Sequence, residues 1–64
     1  MTLVEVLMGL KNKRIKVTHL YTGDSCLIKG VLQDVGDDFI SIQTTGGIRY
    51  LRTSTIVEFE QIGD

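Results

Sequence analysis

Proline and tryptophan are absent from this 64-residue chain, and cysteine and histidine occur once each, as Cys26 and His19. A single cysteine cannot form a disulfide within the chain. One cysteine and one histidine also cannot supply the four nitrogen and sulfur ligands of a structural zinc site. A domain of about 60 residues buries only roughly 60% of the surface of its unfolded chain, so it commonly needs a further source of stability. The composition leaves open two such sources, oligomerisation and an unusually good core.

Long apolar runs and an excess of positive charge are also missing. No segment approaches the about 20 apolar residues of a membrane-spanning helix, and the chain does not open with a basic segment followed by an apolar one. We therefore expect no membrane association, and the single cysteine favours a reducing cytoplasm. The formal net charge of −1 argues against a generic nucleic-acid binder, which is usually basic. It leaves room for a local basic face.

Groups suited to catalysis are few. The sequence has no serine, histidine and aspartate at the spacing of a triad, and its one histidine and one cysteine do not indicate a nucleophile with its base. Gly46 and Gly47 are followed by neither a lysine nor a helix, as a phosphate-binding loop requires. The sequence therefore predicts no catalytic residue, no cofactor and no metal. Cys26 is expected to behave as a small buried apolar residue. His19 is expected to be partly buried.

The first ten residues, MTLVEVLMGL, have the features of a short helix. Thr2 and Glu5 stand at the spacing of a capping box, in which each side chain accepts from a free backbone N–H of the other residue. Gly9 is expected to end the helix in the left-handed conformation. A helix of about two turns is not stable alone, so its apolar side must dock on the rest of the chain. The two valines leave a short strand as the alternative.

From Lys13 onward, apolar and polar residues alternate at a period of two, which predicts strands. Turn residues at 22–25, 36–38 and 45–47 divide this region into one strand that begins at Lys13 and four that span 26–35, 39–44, 48–53 and 56–62. Gly30, inside the long second strand, marks a bulge or a sharp bend. The predicted fold class is mainly β, with residues 1–64 as a single domain. A short N-terminal helix over 1–10 is followed over 13–62 by a five-stranded, strongly bent antiparallel small barrel.

Two segments resemble the motifs of the Sm/LSm family of RNA-binding ring proteins, and the resemblance covers nearly the whole chain. KRIKVTHLYTGDSCLIKGVLQDVGDDFISI resembles the first motif, with Gly30-Val31-Leu32 at the glycine bend of the second strand. YLRTSTIVEFE resembles the second motif, with Leu51 and Arg52 as its apolar residue and arginine. The resemblance implies an Sm-like barrel, a closed homo-oligomeric ring of about five to seven subunits, and binding of RNA or other single-stranded nucleic acid.

The loop after the second strand departs from the family pattern. Sm proteins hold a uracil base there with an acidic residue, an aromatic residue or histidine, and an asparagine. These positions fall on Gly36, Asp38 and Ile40 in this sequence. We therefore expect binding with little base selectivity. The resemblance as a whole implies a role in RNA or nucleic-acid processing.

Arg52 is the one pocket residue of the family that this sequence retains. The resemblance places it at the central pore, where a guanidinium can stack on a base. Contact with a neighbouring subunit and simple exposure to solvent are the alternatives. The expected nucleic-acid site also includes adjoining loop residues and a basic cluster that would meet phosphates from one ring face. Its members are Arg52, Asp37, Asp38, Thr53 and Ser54, with Lys11, Lys13, Arg14 and Lys16 as the basic cluster.

The resemblance also predicts the contact between subunits, because the fourth strand of one Sm subunit pairs with the fifth strand of the next. Opposite charges on the two strands would add roughly 0.2–1 kcal/mol per cross-strand pair. An apolar fifth strand would be an aggregation hazard if it stayed unpaired. The expected interface residues are Arg49, Tyr50, Ile56, Val57, Glu58, Phe59 and Glu60.

Two other functions remain open on the sequence alone. A ring that kept the fold and lost the base pocket would be a protein-interaction scaffold, and a monomeric SH3-type barrel would need no ring at all. Salt separates the scaffold from a nucleic-acid binder, because binding through phosphate contacts weakens steeply as salt rises.

Overall fold

The sheet and its preceding helix are seen in a computed structural model, which describes residues 1–63. The helix α1 spans Leu3–Met8. The strands are β1 (Arg14–Tyr21), β2 (Asp24–Val35), β3 (Phe39–Thr44), β4 (Gly47–Arg52) and β5 (Ile56–Gln61), and a 3₁₀ turn over Thr53–Thr55 joins the last two. All pairings are antiparallel, in the order β4-β3-β2-β1-β5. The predicted mainly β fold with a short N-terminal helix is confirmed.

The helix α1 begins with the predicted capping box. The backbone N–H of Glu5 donates to Thr2 Oγ1 over 3.2 Å, and the backbone N–H of Thr2 donates to the Glu5 carboxylate over 3.1 Å. The prediction that Gly9 ends the helix in the left-handed conformation is wrong, because its φ is −68°. Turn-like hydrogen bonds continue beyond it, and the positive φ falls on Asn12 at 69°. Asparagine tolerates that conformation, so the chain reverses three residues later than predicted.

The β1–β2 hairpin follows the predicted alternation. Ile15, Val17 and His19 are buried, and the residues between them are more exposed. Thr22 and Gly23 form a two-residue turn with φ values of 50° and 88°, and a turn with two positive φ angles matches the twist of the strands that it joins. The turn is therefore shorter than the predicted 22–25.

The second strand changes its partner halfway along its length. Residues 24–31 of β2 pair with β1, and Val31 to Val35 pair with β3. A Cβ atom at Gly30 would lie 2.4 Å from the carbonyl oxygen of Gln43, so only glycine allows β2 and β3 to approach this closely. The register shift lies between Leu32 and Asp34. The sequence therefore predicted the irregularity in the correct strand, but the close approach and the bulge occupy different residues.

The β3–β4 hairpin depends on one glycine where the sequence predicted two. Gly47 has a φ of 123°, whereas Gly46 is not among the residues with positive φ. The Thr44 hydroxyl completes the turn, because it donates to the carbonyl of Gly47 over 2.8 Å and accepts from the N–H of Gly46 over 3.2 Å.

The sheet curls around one hydrophobic core and does not close into a barrel. Within residues 1–63, β4 pairs only with β3, and β5 pairs only with β1. The curl is strong enough that Arg49 of β4 lines the same cleft as His19 of β1, three strands away. The buried core comprises Leu7 from the helix and Ile15, Val17, Ile28, Leu32, Ile40, Ile42 and Leu51 from the sheet.

Candidate nucleic-acid interface and subunit edges

Arg52 lies against an aromatic ring at one end of the sheet. It pairs with Phe39 across β3 and β4, and its guanidinium carbon is 5.3 Å from the centroid of the Phe39 ring. Phe39 remains 48% exposed. A cation held over an exposed ring gains roughly 0.5–1 kcal/mol. The Phe39 ring therefore orients the guanidinium. An arginine that was simply exposed to solvent would not need such an orientation.

The loop before β3 is attached directly to the turn after Arg52. The backbone N–H of Thr53 donates to the carbonyl of Asp38 over 2.9 Å, and the Thr53 hydroxyl donates to the carbonyl of Asp37 over 2.8 Å. The Thr55 hydroxyl donates to the carbonyl of Arg52 over 2.8 Å and closes the 3₁₀ turn. The structure thus brings together the predicted loop residues from two distant segments.

Asp37 and Asp38 take part in this junction through their backbone carbonyls. Within residues 1–63, neither carboxylate forms an ion pair with Arg52. Ser54 lies between the two bonded threonines and is exposed. Asp37, Asp38 and Arg52 therefore lie on two segments that hydrogen bonds join, and no ion pair links their charged groups.

A shallow cleft next to Arg52 includes the Phe39 ring, one further exposed ring and polar groups. Its volume is about 260 Å³, and it is lined by Phe39 and Tyr50 together with Asp34, Val35, Gly36, Ile40 and Ser41. Tyr50 is 70% exposed and pairs with Ser41 across β4 and β3. The Ser41 hydroxyl accepts from the backbone N–H of Asp34 over 3.1 Å, so it satisfies a donor at the bulge of β2.

Phe39 and Asp34 were missing from the predicted site. The signal for Phe39 was available in the sequence, because Phe39 and Ser41 on β3 and Tyr50 and Arg52 on β4 each stand two residues apart and therefore share a face. Asp34 lines the cleft because of the bulge in β2, and a bulge changes which face a side chain takes.

The predicted basic cluster is partly neutralised within the chain. Lys11 Nζ lies 3.8 Å from the carboxylate of Asp34, and Lys16 Nζ lies 2.6 Å from that of Glu60. The hydrogen bond to Glu60, followed by its negative charge, raises the pKa of Lys16 above the ordinary value of 10.5. These ion pairs reduce the positive charge that Lys11 and Lys16 offer to phosphates, and the phosphate contacts of the basic cluster stay a prediction.

Three cations near the basic cluster are unpaired within the part of the chain that the structure describes. Arg14 and Lys29 line a second cleft of about 400 Å³ on the sheet surface, together with Gly30, Val31, Gln43, Thr44 and Thr45. Lys13 is exposed and also forms no ion pair within residues 1–63. Arg14 and Lys13 thus remain available to an anion, and Lys29 joins them although the sequence did not indicate it.

The two edges of the sheet are the strands for which a subunit contact was predicted. Val57 is exposed on β5, and Ile48 and Tyr50 are exposed on β4. Ile56 and Phe59 pack partly against the core of their own chain, so their apolar character is explained within one subunit.

Some of the charged residues in the predicted pairing between the edges have other surroundings within one chain. Glu60 is already bound by Lys16 of the same chain. Arg49 and Arg52 are three residues apart on β4 and therefore point to opposite faces. Arg49 lies in the cleft with His19, so the two arginines cannot both meet one row of acidic residues. Glu58 is the acidic residue of this set that forms no ion pair within residues 1–63.

The prediction that Cys26 is buried is wrong. Cys26 is half-buried and not fully buried, and it stands directly opposite His19 in the β1–β2 ladder. His19 is buried, in line with the prediction. The two residues therefore lie side by side on one face, which their distance in the sequence does not reveal.

Comparisons with protein-family models, with curated proteins and with solved structures gave no match to this chain. None of the helices within residues 1–63 has the length and apolar character needed to cross a membrane. In the same residues, no three or more His, Cys, Asp or Glu side chains are grouped as a metal site requires.

Proposed function

We propose that the protein is a ring-forming, Sm-like subunit that binds RNA or other single-stranded nucleic acid with little base selectivity and acts in nucleic-acid processing. The single observation that carries this proposal is the Arg52 guanidinium held 5.3 Å from the exposed Phe39 ring, beside the exposed Tyr50. Bases stack on aromatic rings and guanidinium planes regardless of their identity, at about 1–3 kcal/mol per base.

The ring is supported by the strand order. An Sm-type contact joins β4 of one subunit to β5 of the next, and these two strands are the edges of the sheet in residues 1–63. An unpaired edge strand offers free backbone donors and acceptors to another chain. Pairing around a closed ring would satisfy both edges of every subunit. The single, half-buried cysteine suits a reducing cytoplasm, where we place the ring.

The experiment is a titration of fluorescent oligouridine with the wild-type protein and the Arg52→Gln and Phe39→Leu variants. We expect each variant to weaken binding by at least about fivefold, because each removes a stacking surface. Arg49→Gln is the matched control, since it deletes the same charge from the other face of β4. Equal affinities for wild type and the Arg52 variant would remove the basis of the proposal.

A protein-interaction scaffold of the same fold is the second candidate. It is favoured by the ion pairs that Lys11 and Lys16 form within the chain, because they reduce the charge available to phosphates. The same titration at two salt concentrations separates the candidates. A nucleic-acid binder should show an affinity that falls steeply as salt rises, because phosphate contacts are screened. No binding at low salt would favour the protein-interaction scaffold.

A further inference from the structure

A third cleft lies on the concave side of the sheet, away from Arg52. Its volume is about 340 Å³, and it is lined by His19, Tyr21, Cys26, Leu27, Ile28 and Arg49. These residues come from β1, β2 and β4, so the cleft exists only because the sheet curls. It contains the chain's single histidine and single cysteine, neither of which the proposed nucleic-acid site uses.

His19 and Cys26 are direct partners in the β1–β2 ladder. Opposite residues in an antiparallel pair have Cβ atoms about 4.5–5.5 Å apart, so the imidazole and the thiol share one part of the cleft. A histidine beside a cysteine can take the thiol proton, and the thiolate then becomes the nucleophile.

His19 has no partner for its ring nitrogens within residues 1–63, although only 6% of the residue is exposed. No fully buried nitrogen or oxygen of a side chain in that range lacks a hydrogen bond. The imidazole nitrogens therefore open into the cleft. They can therefore form hydrogen bonds with a group that enters the cleft.

Arg49 adds a positive charge to the wall of this cleft. It forms no ion pair within residues 1–63. A guanidinium binds carboxylates through a planar pair of donors, and Tyr21 offers apolar surface beside it. The other charged group near this end is Asp24, opposite Tyr21 in the ladder, and Ile56 of β5 pairs with His19 on the other side. The cleft therefore suits a small molecule that carries a carboxylate.

We infer that Cys26, His19 and Arg49 form a thiol-modification site that reacts with small, carboxylate-bearing disulfides. His19 accepts the proton of the Cys26 thiol, and the resulting thiolate attacks one sulfur of the disulfide. A new sulfur–sulfur bond forms at Cys26 as the bond within the disulfide breaks. The departing half leaves as a thiolate, which takes the proton from the imidazolium. Cys26 is oxidised to a mixed disulfide, one half of the small disulfide is reduced to a thiol, and the same exchange with a free thiol reverses the modification.

The experiment compares two disulfide reagents of similar size, the anionic dithiobis(nitrobenzoate) and the neutral dithiodipyridine. A synthetic peptide of residues 22–30 contains Cys26 without His19 or Arg49 and supplies the reference rate for an ordinary cysteine. We expect the folded protein to react with the anionic reagent at least about tenfold faster than the peptide does, since general-base and charge assistance act together. Cys26→Ser is the blank and must give no released thiol.

Three variants assign the roles. Arg49→Gln should slow the reaction with the anionic reagent severalfold and leave the neutral reagent within about twofold, because only the anion is attracted to the guanidinium. His19→Gln should slow both reagents about tenfold. Arg14→Gln, which deletes an arginine elsewhere on the sheet, should change neither rate. Incubation with cystine should add one half-cystine to the wild-type mass, and a reductant should remove it.

Arg49 is exposed, so its variant remains decisive even if His19→Gln fails to fold. A folded protein that reacts no faster than the peptide with either reagent would overturn the inference. So would an unchanged ratio of the two rates in Arg49→Gln. Neither result bears on oligouridine binding, so this inference and the proposed function stand or fall separately.

Discussion

At the scale of single residues, two kinds of contact determine the shape of the sheet. One is a close approach of two strands that leaves no room for a side chain, and the other is a set of hydrogen bonds between loops distant in sequence. Gly30 lies where β2 passes from β1 to β3. Thr53 joins the loop before β3 to the turn after β4 through two hydrogen bonds. Phe39 and Arg52 lie next to that junction. The orientation of the candidate stacking surface is therefore set by a few short-range contacts.

Gly30→Ala tests the close approach of β2 and β3. The new Cβ would meet the carbonyl oxygen of Gln43 at 2.4 Å and Ile42 Cγ2 at 2.7 Å, so backbone must move. We expect a loss of about 1–3 kcal/mol in the free energy of unfolding, measured in urea at a fixed protein concentration. Gly46→Ala is the control, because its nearest atom would be 3.9 Å away. Equal midpoints for the two variants would contradict this account.

Lys16→Met tests the ion pair with Glu60. The raised pKa of Lys16 means that the folded state holds this proton more tightly than the unfolded state does. The stabilisation is fully present below the ordinary lysine pKa of about 10.4 and is lost as the pH rises through the higher folded value. We therefore expect wild-type stability to fall more steeply than that of Lys16→Met on the alkaline side of this value.

Lys13→Met is the control for this comparison, because Lys13 forms no ion pair within residues 1–63. Its alkaline curve should follow that of the wild type. Thermal unfolding monitored by circular dichroism at several pH values measures all three proteins. Parallel curves for wild type and Lys16→Met would show that the ion pair contributes nothing to folding.

At the scale of the elements, the helix and the strands have different sources of order. The helix α1 has six residues, too few for stability alone, and its single buried residue is Leu7. In β1, by contrast, every second residue from Ile15 to His19 is buried on the concave face. The helix therefore holds its place through one anchor and one capping box.

Leu7→Ala tests that anchor. Removing a fully buried leucine costs about 2–5 kcal/mol, and here the loss should also detach α1 from the sheet. Met8→Ala is the matched control on the same helix, because Met8 is exposed, and it should change the urea midpoint little. Faster amide exchange in residues 3–8 of the Leu7 variant would confirm detachment. Similar midpoints for the two variants would show that the helix does not contribute to the core.

Local patterns predicted the elements well, because each depends on neighbouring residues. The period of two predicted β1, and the spacing of Thr2 and Glu5 predicted the helix cap. The turns were less predictable. Either Gly9 or Asn12 can adopt the positive φ that reverses the chain, and contacts with the rest of the chain determine which residue does so. The proximity of Cys26 to His19 follows from the register of a hairpin, and the position of Arg49 follows from the curl of the whole sheet. Neither is encoded in a short window of sequence.

At the scale of the whole molecule, the ion pairs determine which cations are available to a ligand, and the strand order determines which strands are available to another copy of the chain. The acidic and basic segments are apart in the sequence, yet Lys11 meets Asp34 and Lys16 meets Glu60. Near the basic cluster, the cations that form no ion pair within residues 1–63 are Lys13, Arg14 and Lys29. The edges β4 and β5 do not pair with each other within residues 1–63. The proposed ring would pair them between copies.

The native mass of the protein at micromolar concentration, measured beside the Val57→Lys variant, tests the ring most directly. Val57 is 61% exposed on the edge strand β5, and Leu27→Lys is the control because Leu27 is 57% exposed on β2, inside the sheet. Neither substitution touches the Lys16–Glu60 pair. The account predicts one discrete mass of several subunits for wild type and Leu27→Lys, and smaller species for Val57→Lys. A wild-type monomer at every concentration would contradict the ring and the pairing of β4 with β5.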